Sequence, residues 1–157
     1  MILSLNTETS IYEKGAPFVP NNKLYCVSYA TAEAKGCLPI EYGGIPYKSN
    51  LDRIQELVDM ATLLVGFNLK FDLHWLRRYG INFQSRRVFD CQLAAFILSY
   101  QRIAYPSLDN TALQYLGRRK LDIVDTEYWS HGIDTCDIPW DILSEYATLD
   151  AELTYEL

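Results

Sequence analysis

The chain has 157 residues, 49% of them hydrophobic and 13% aromatic. This composition is sufficient for one buried core, and the length is too short for two domains of ordinary size. Twenty acidic and fourteen basic residues give a net charge of −6, which argues against a protein that grips long duplex DNA through many phosphates. No apolar run approaches the roughly 20 residues of a membrane span, and the N-terminus lacks the basic start of a signal peptide. We therefore expect one soluble, cytoplasmic domain with no membrane partner.

The apolar patterns predict an ordered series of strands and helices. Strands are predicted at five places: 1–8, 23–31, 36–42, 62–67 and 87–89. Five helices are predicted. The first begins at Ser49, the second directly after the fourth strand and the third after a cap at Asp90, while the fourth begins at Ser107 or Asp109 and the fifth at Pro139. The segment 118–138 has no dependable periodicity. This order predicts an α/β fold with a mixed five-stranded sheet, in which an antiparallel meander of strands 1–3 and two further strands are flanked by helices.

Three short polar pairs lie on these elements. They are Asn6 with Glu8, Asn68 with Asp72, and Tyr146 with Asp150. The first pair is spaced i, i+2 on a strand and the others i, i+4 in helical segments, so the members of each pair should share a face. A group of carboxylates without histidine or cysteine is most often a site for a hard divalent cation, which leaves room for phosphate. The pattern indicates metal-assisted cleavage of a phosphodiester.

The stretches that carry these pairs resemble the motifs of a known nuclease superfamily. They are Asn6-Thr7-Glu8-Thr9, Gly66-Phe67-Asn68-Leu69-Lys70-Phe71-Asp72 and Tyr146-Ala147-Thr148-Leu149-Asp150. In order and spacing they resemble the three motifs of the DEDD 3′→5′ exonucleases, and the tyrosine four residues before the last aspartate is typical of the DEDDy branch. The resemblance implies a ribonuclease-H-like fold. Within the superfamily, the sequence is most similar to the proofreading exonuclease domain of bacterial and phage A-family DNA polymerases, with ribonuclease D-like enzymes next.

The resemblance also implies a site and a reaction. Two Mg²⁺ or Mn²⁺ ions would be held by Asn6, Glu8, Asp72 and Asp150. With Tyr146 directing its hydroxyl at the attacking water or the scissile phosphate, the site would hydrolyse the 3′-terminal phosphodiester of single-stranded DNA. The candidates for substrate contact are three: Thr9 for the 3′-terminal nucleotide, Lys70 for a phosphate, and Asn68 for the substrate or nearby backbone.

Asn6 departs from the family's pattern, because the first motif of the family begins with an aspartate. An amide keeps the shape of a carboxylate but loses its charge, so less of the repulsion between two divalent cations would be compensated. We therefore expect little or no nuclease activity from the chain as written. The change is either a deliberate substitution or a natural loss, and the otherwise intact set of acidic residues favours the former.

Two other functions stay open at this point. Asn6 also suits a nuclease fold kept as a non-catalytic module for nucleic-acid binding or scaffolding. A ribonuclease D-like enzyme acting on RNA is the other alternative, since nothing in the motifs distinguishes the 2′-hydroxyl. The chain stops just after the third motif, so we expect a monomeric domain excised from a longer polymerase chain. The basic run Arg118-Arg119-Lys120 is typical of solvated surface and only slightly favours phosphate contact.

Overall fold

The computed structural model describes residues 1–44 and 46–157. Five strands form its sheet: β1 (Ile2–Thr9), β2 (Leu24–Ala30), β3 (Lys35–Pro39), β4 (Leu63–Gly66) and β5 (Arg87–Asp90). The α-helices of the described residues are α1 (Lys48–Met60), α2 (Leu69–Arg78), α3 (Cys91–Leu98), α4 (Leu108–Leu116), α5 (Ile123–Glu127) and α6 (Trp140–Glu156). The predicted order of elements is confirmed, and α5 is a short helix within the segment 118–138, which has no clear periodicity.

Strand β1 lies at the centre of the sheet, whose order is β3-β2-β1-β4-β5. Strands β1, β2 and β3 pair as the predicted antiparallel meander, whereas β4 runs parallel to β1 and β5 parallel to β4. The pairing with β4 covers β1 only from Ile2 to Ser4. The carboxyl half of β1 therefore continues past β4, and in open α/β sheets ligands bind outside the carboxyl ends of the strands.

Two hydrophobic cores lie on opposite faces of this sheet. Leu3 and Leu5 of β1 belong to the first core, together with α1 and the buried Trp75 of α2. The second core lies under α6, which contributes Leu143 and Ala147. Because side chains alternate along a strand, Leu3 and Leu5 point to the first core while the even-numbered residues of β1 point toward α6.

The predicted cap of α3 is confirmed, since the Asp90 carboxylate accepts hydrogen bonds from the backbone N–H groups of Gln92 and Leu93. Three other expectations were wrong. Helix α1 begins at Lys48 with no side-chain cap, so Ser49 does not open it. Asn68 lies just before α2 in the left-handed backbone region (φ 62°, ψ 46°), so it does not stack on one helix face with Asp72. The third strand also ends at Pro39, earlier than predicted.

None of the helices in the described part of the chain combines the length and the apolarity that crossing a membrane requires.

Candidate active site

Three buried carboxylic acids lie around the carboxyl end of β1. They are Glu8 on β1, Asp72 on α2 and Asp150 on α6, and we call them the acidic cluster. Asp150 and Asp72 both act electrostatically on Glu8, so the three groups share one environment. Burying a carboxylate is costly unless it is paired or binds a metal, and perturbed acids of this kind concentrate at functional sites.

On β1, the structure brings Asn6 and Glu8 together. The Asn6 Nδ2 group donates a hydrogen bond to Glu8 Oε1 at 2.9 Å. The pairing of β1 with β2 shifts register between Glu8 and Thr9, an irregularity that is common next to active sites because it re-aims side chains. An aspartate at position 6 would repel Glu8, whereas the amide stabilises it.

Asp72 approaches from the other side of the sheet. Its Oδ1 atom accepts hydrogen bonds from the Thr7 backbone N–H at 2.9 Å and from the Thr7 hydroxyl at 2.7 Å. These bonds tie α2 to β1 and orient the carboxylate. Burial nevertheless raises the pKa of Asp72 to about 7, against the opposing effect of the two hydrogen bonds from Thr7.

A lysine that sequence reasoning did not assign to the site completes its α6 side. Lys120 Nζ lies 3.0 Å from Asp150 Oδ2 and donates a hydrogen bond to the Tyr146 hydroxyl at 2.7 Å. The same hydroxyl donates to Asp125 Oδ2 at 3.3 Å. Lys120 and Asp125 come from the segment 118–138, which has no clear periodicity. Arg118 lies on the surface, as predicted for the basic run, whereas for Lys120 that prediction was wrong.

The pKa values of all three acids in the cluster are raised, so each holds its proton to a higher pH than it would in water. Burial, reinforced by the charge of Asp150, raises the pKa of Glu8 to about 8. Burial also raises the pKa of Asp150 to about 6, although Lys120 opposes this shift. Burial raises the pKa of Tyr146 as well, so its phenol stays protonated at neutral pH. Added positive charge would therefore stabilise the ionised form of the cluster.

The residues present fit one divalent ion better than two. Within residues 1–44 and 46–157, no three acidic, histidine or cysteine side chains are arranged to hold a metal ion by themselves. Asp150 Oδ1, however, is buried without a hydrogen-bond partner in the described structure, and Mg²⁺ is often bound by one or two carboxylates plus substrate phosphate. A second ion fits poorly, because Asn6 is neutral and Lys120 already pairs with Asp150 Oδ2.

The residues predicted to contact substrate fall into two environments. Thr9 is buried, and its hydroxyl donates to the Ser10 carbonyl at 3.1 Å. Asn68 and Lys70 are exposed at the start of α2 and line a groove of about 530 Å³. The groove also includes Asp90, Gln92, Leu93, Phe96, Ala104, Tyr105 and Pro106. Tyr146 is buried, with its ring edge-on to Trp129 at a centroid distance of 5.7 Å.

Solved structures with the same fold include two nucleases and a DNA polymerase. The chain matches the exonuclease domain of Aedes aegypti Nibbler with a TM-score of 0.64 at 15% identity, covering 99% of this chain and 74% of that one. It matches a nuclease solved in its apo form with a TM-score of 0.70 at 16% identity, covering 99% and 68%. A family B DNA polymerase from Pyrobaculum calidifontis gives a TM-score of 0.64 at 16% identity, covering 98% and 23%. The predicted ribonuclease-H-like fold is thereby confirmed.

The sequence comparisons define the family within that fold. The model of the 3′-5′ exonuclease of A-family DNA polymerases matches residues 3–157, and the chain belongs to this family. Part of the chain is 38% identical over 74 residues to DNA polymerase I of Aquifex aeolicus (strain VF5), covering 44% of the chain. Almost all of it, 99%, is 28% identical over 168 aligned positions to DNA polymerase DpoZ of Salmonella phage PMBT28. These alignments span 12% and 25% of the two polymerases.

Proposed function

We propose that this chain is the proofreading domain of a DNA polymerase, a 3′→5′ exonuclease of DEDDy type that acts on the 3′ end of single-stranded DNA. Membership of the exonuclease family supports the reaction class. The observation that carries the assignment to particular residues is the buried acidic cluster at the carboxyl end of β1, with one oxygen of Asp150 left without a partner. A buried carboxylate oxygen without a partner is costly in a structural site and useful in a cation site.

Each residue of the cluster has a separate role in this proposal. Glu8 and Asp150 would hold a Mg²⁺ or Mn²⁺ ion, and Asp72, oriented by Thr7, would support the site from α2. Such an ion lowers the pKa of bound water and stabilises charge on a phosphate. Tyr146 contributes a protonated hydroxyl, whose 3.3 Å bond to Asp125 is long enough to be exchanged for one to the water or the phosphate.

The groove at the start of α2, the helix that carries Asp72, suits a short single strand. Phe96 and Tyr105 offer aromatic faces, on which bases of any sequence can stack. Lys70 provides a positive charge, and Asn68 an amide, next to them. With a net charge of −6 on the whole chain, binding would depend on these few local contacts, which suits a frayed end delivered by a polymerase. Thr9, whose hydroxyl is bonded to its own loop, keeps a predicted role at the 3′-terminal nucleotide.

Asn6 makes the chain as written a poor catalyst in this proposal. A carboxylate at position 6 would supply negative charge that helps to hold a divalent ion, and Asn6 instead donates its amide hydrogen to Glu8. Restoring the carboxylate with Asn6→Asp should therefore restore hydrolysis. The assay is release of labelled mononucleotide from a 3′-labelled DNA single strand in Mn²⁺, followed for the parent chain and the variant.

A matched control separates restored chemistry from a general change in the protein. The double variant Asn6→Asp/Glu8→Gln keeps the new aspartate and removes the neighbouring charge, so it should be inactive while binding DNA. Equal activity of the parent and Asn6→Asp, or equal inactivity of both, would contradict the proposed role of position 6. Running the same assay with an RNA strand tests the preference for DNA.

The polymerase context is part of the proposal. The relatives from Aquifex and the Salmonella phage are DNA polymerases several times longer than this chain. We therefore propose that a polymerase domain in the same polypeptide transfers the 3′ end to this site, in the cytoplasm of a bacterial cell.

One observation favours a second candidate function, a nucleic-acid-binding module without catalysis. Asn6 and Lys120 stabilise Glu8 and Asp150 through hydrogen bonds and charge that need no metal. If Asn6→Asp stays inactive but the parent chain binds a 3′ single strand with Lys70-dependent affinity, this candidate replaces the exonuclease.

A further inference from the structure

Lys120 is built into the acidic cluster. Its side chain is 21% exposed and that of Asp150 is 6% exposed, whereas the neighbouring Arg118 and Arg119 are 40% and 59% exposed. The ammonium lies 3.0 Å from Asp150 Oδ2 and 4.5 Å from the centre of the Tyr146 ring. A lysine held by a buried carboxylate, a phenol oxygen and an aromatic face has little freedom to leave, unlike a solvated surface ion pair.

Asn6 acts on the Glu8 side of the cluster, where its neutral amide leaves one negative charge fewer than an aspartate would. Its amide donates to Glu8 Oε1, so that the Glu8 carboxylate already has one donor. The two residues lie on separate elements, Asn6 on β1 and Lys120 in the segment before α5. They act on different members of the cluster, Glu8 and Asp150.

Together these two residues alter the charge of the site by the amount that one divalent ion carries. Compared with four carboxylates and no lysine, the amide at Asn6 removes one negative charge and the ammonium at Lys120 adds one positive charge. With all three acids ionised, the form that a bound cation stabilises, Glu8, Asp72, Asp150 and Lys120 leave a charge that a single divalent cation would balance. A second divalent ion would have to enter against the ammonium, which repels it at short range.

We propose that this site takes a single divalent ion, and that the Lys120 ammonium, with Asn6, takes the place of a second. The inference rests on the proposed function, since it concerns the same metal site. It accounts for the orientation of Asp150, whose Oδ2 atom is paired with Lys120 while its Oδ1 atom is buried and unpaired in the described structure. Asp150 Oδ2 pairs with the Lys120 ammonium, and Asp150 Oδ1 is the oxygen available to a metal ion.

The test is the number of Mn²⁺ ions bound per chain. We would titrate Mn²⁺ calorimetrically and follow free Mn²⁺ by its electron paramagnetic resonance signal, with and without a 5′-deoxynucleoside monophosphate, the product of 3′→5′ hydrolysis. The parent chain should bind one ion. The double variant Asn6→Asp/Lys120→Met should bind two, and Lys120→Met alone should bind its first ion about tenfold more tightly, as loss of a short-range repulsion predicts.

Two control variants separate charge at this position from general effects. Lys120→Arg keeps the charge and should still bind one ion. Lys48→Met removes the charge of an exposed lysine at the start of α1 and should behave as the parent does. Metal-free melting in EDTA gives an independent readout: Lys120→Met should melt at a lower temperature than Lys48→Met, and Mn²⁺ should recover more of its stability.

The possible outcomes distinguish this inference from the proposed function. Two ions bound by the parent, or two bound by Asn6→Asp while Lys120 is still present, would overturn the role of Lys120 and leave the exonuclease assignment standing. One ion in the double variant would likewise overturn it. No Mn²⁺ bound by any variant would overturn the metal-dependent nuclease proposal together with this inference.

Discussion

Asp90 connects the start of two helices, and its replacement should destabilise the protein more than the loss of an ordinary cap. As the N-cap of α3, its Oδ1 atom accepts from the N–H of Gln92 at 2.9 Å and, more weakly, from that of Leu93 at 3.4 Å. The same carboxylate accepts from the N–H of Asn68 at 3.1 Å and of Leu69 at 2.9 Å, where α2 begins. We predict that Asp90→Ala loosens both helix starts at once.

The magnitude follows from these contacts. Losing an N-cap costs about 1 kcal/mol. The bonds to α2 have a charged acceptor, for which about 1.5–3 kcal/mol is typical, but Asp90 is partly exposed, so water replaces some of that loss. We expect the free energy of unfolding to fall by about 2–3 kcal/mol in Asp90→Ala. Asp90→Asn keeps an oxygen at the Oδ1 position and loses chiefly the bond from Leu69. In this variant the free energy of unfolding should fall by about half as much.

Ser107→Ala is the matched control, because Ser107 caps α4 alone through one bond to the N–H of Asn110 at 3.2 Å. Its cost should be about 1 kcal/mol. Urea denaturation followed by circular dichroism gives the three values. Hydrogen exchange should also rise at the Leu69 amide in Asp90→Ala and not in Ser107→Ala. If Asp90→Ala costs no more than Ser107→Ala, the bridge to α2 contributes nothing and the reasoning is refuted.

Three further predictions concern stability. Without metal, the raised pKa values of the acidic cluster mean that the folded state binds protons more tightly, so the free energy of unfolding in EDTA should decrease as pH rises from about 4 to about 8. Added Mn²⁺ should reduce this slope, and a flat profile in EDTA would contradict the burial of the cluster. Gly66→Ala would place a Cβ 2.9 Å from Leu69 Cβ and should cost about 1–3 kcal/mol in urea denaturation; a change within about 0.5 kcal/mol would show that α2 moves away freely. Trp75→Phe removes the hydrogen bond from the indole N–H to the Gly15 carbonyl (2.9 Å) at a fully buried site, so the free energy of unfolding should fall by about 1 kcal/mol or more. A smaller loss in the same assay would mean that water replaces the bond.

The elements of this fold could be predicted because their signals are local. The alternation in β1 placed Asn6 and Glu8 on one face, and the capping position of Asp90 located the start of α3. Gly117, in the left-handed conformation (φ 66°), ends α4, and a glycine after a helix is a signal of the same local kind. The start of α1 was misplaced because Ser49 is a good cap by type alone, while the chain direction before the helix is determined by packing.

The candidate site was predicted only in part. The motifs indicated Glu8, Asp72 and Asp150 as a group, but not that Asp72 would be tied to Thr7 from the opposite face. Nor did any pattern separate Lys120 from the two arginines that precede it in the sequence. The difference between a surface lysine and one buried against Asp150 depends on where α6 and the segment before α5 pack.

The sequence by itself determined the order of strands and helices, most of their ends and the family, because periodicity, caps and short motifs depend on residues a few positions apart. Only the tertiary structure decided which further side chains, such as Lys120, join the motif residues at the site. Asp90 lies 21 residues from the Leu69 amide that it binds, and Lys120 lies 26 residues from the Tyr146 hydroxyl. Such contacts arise when packing closes long loops, and burial then decides whether a charged side chain is solvated or becomes part of an active site.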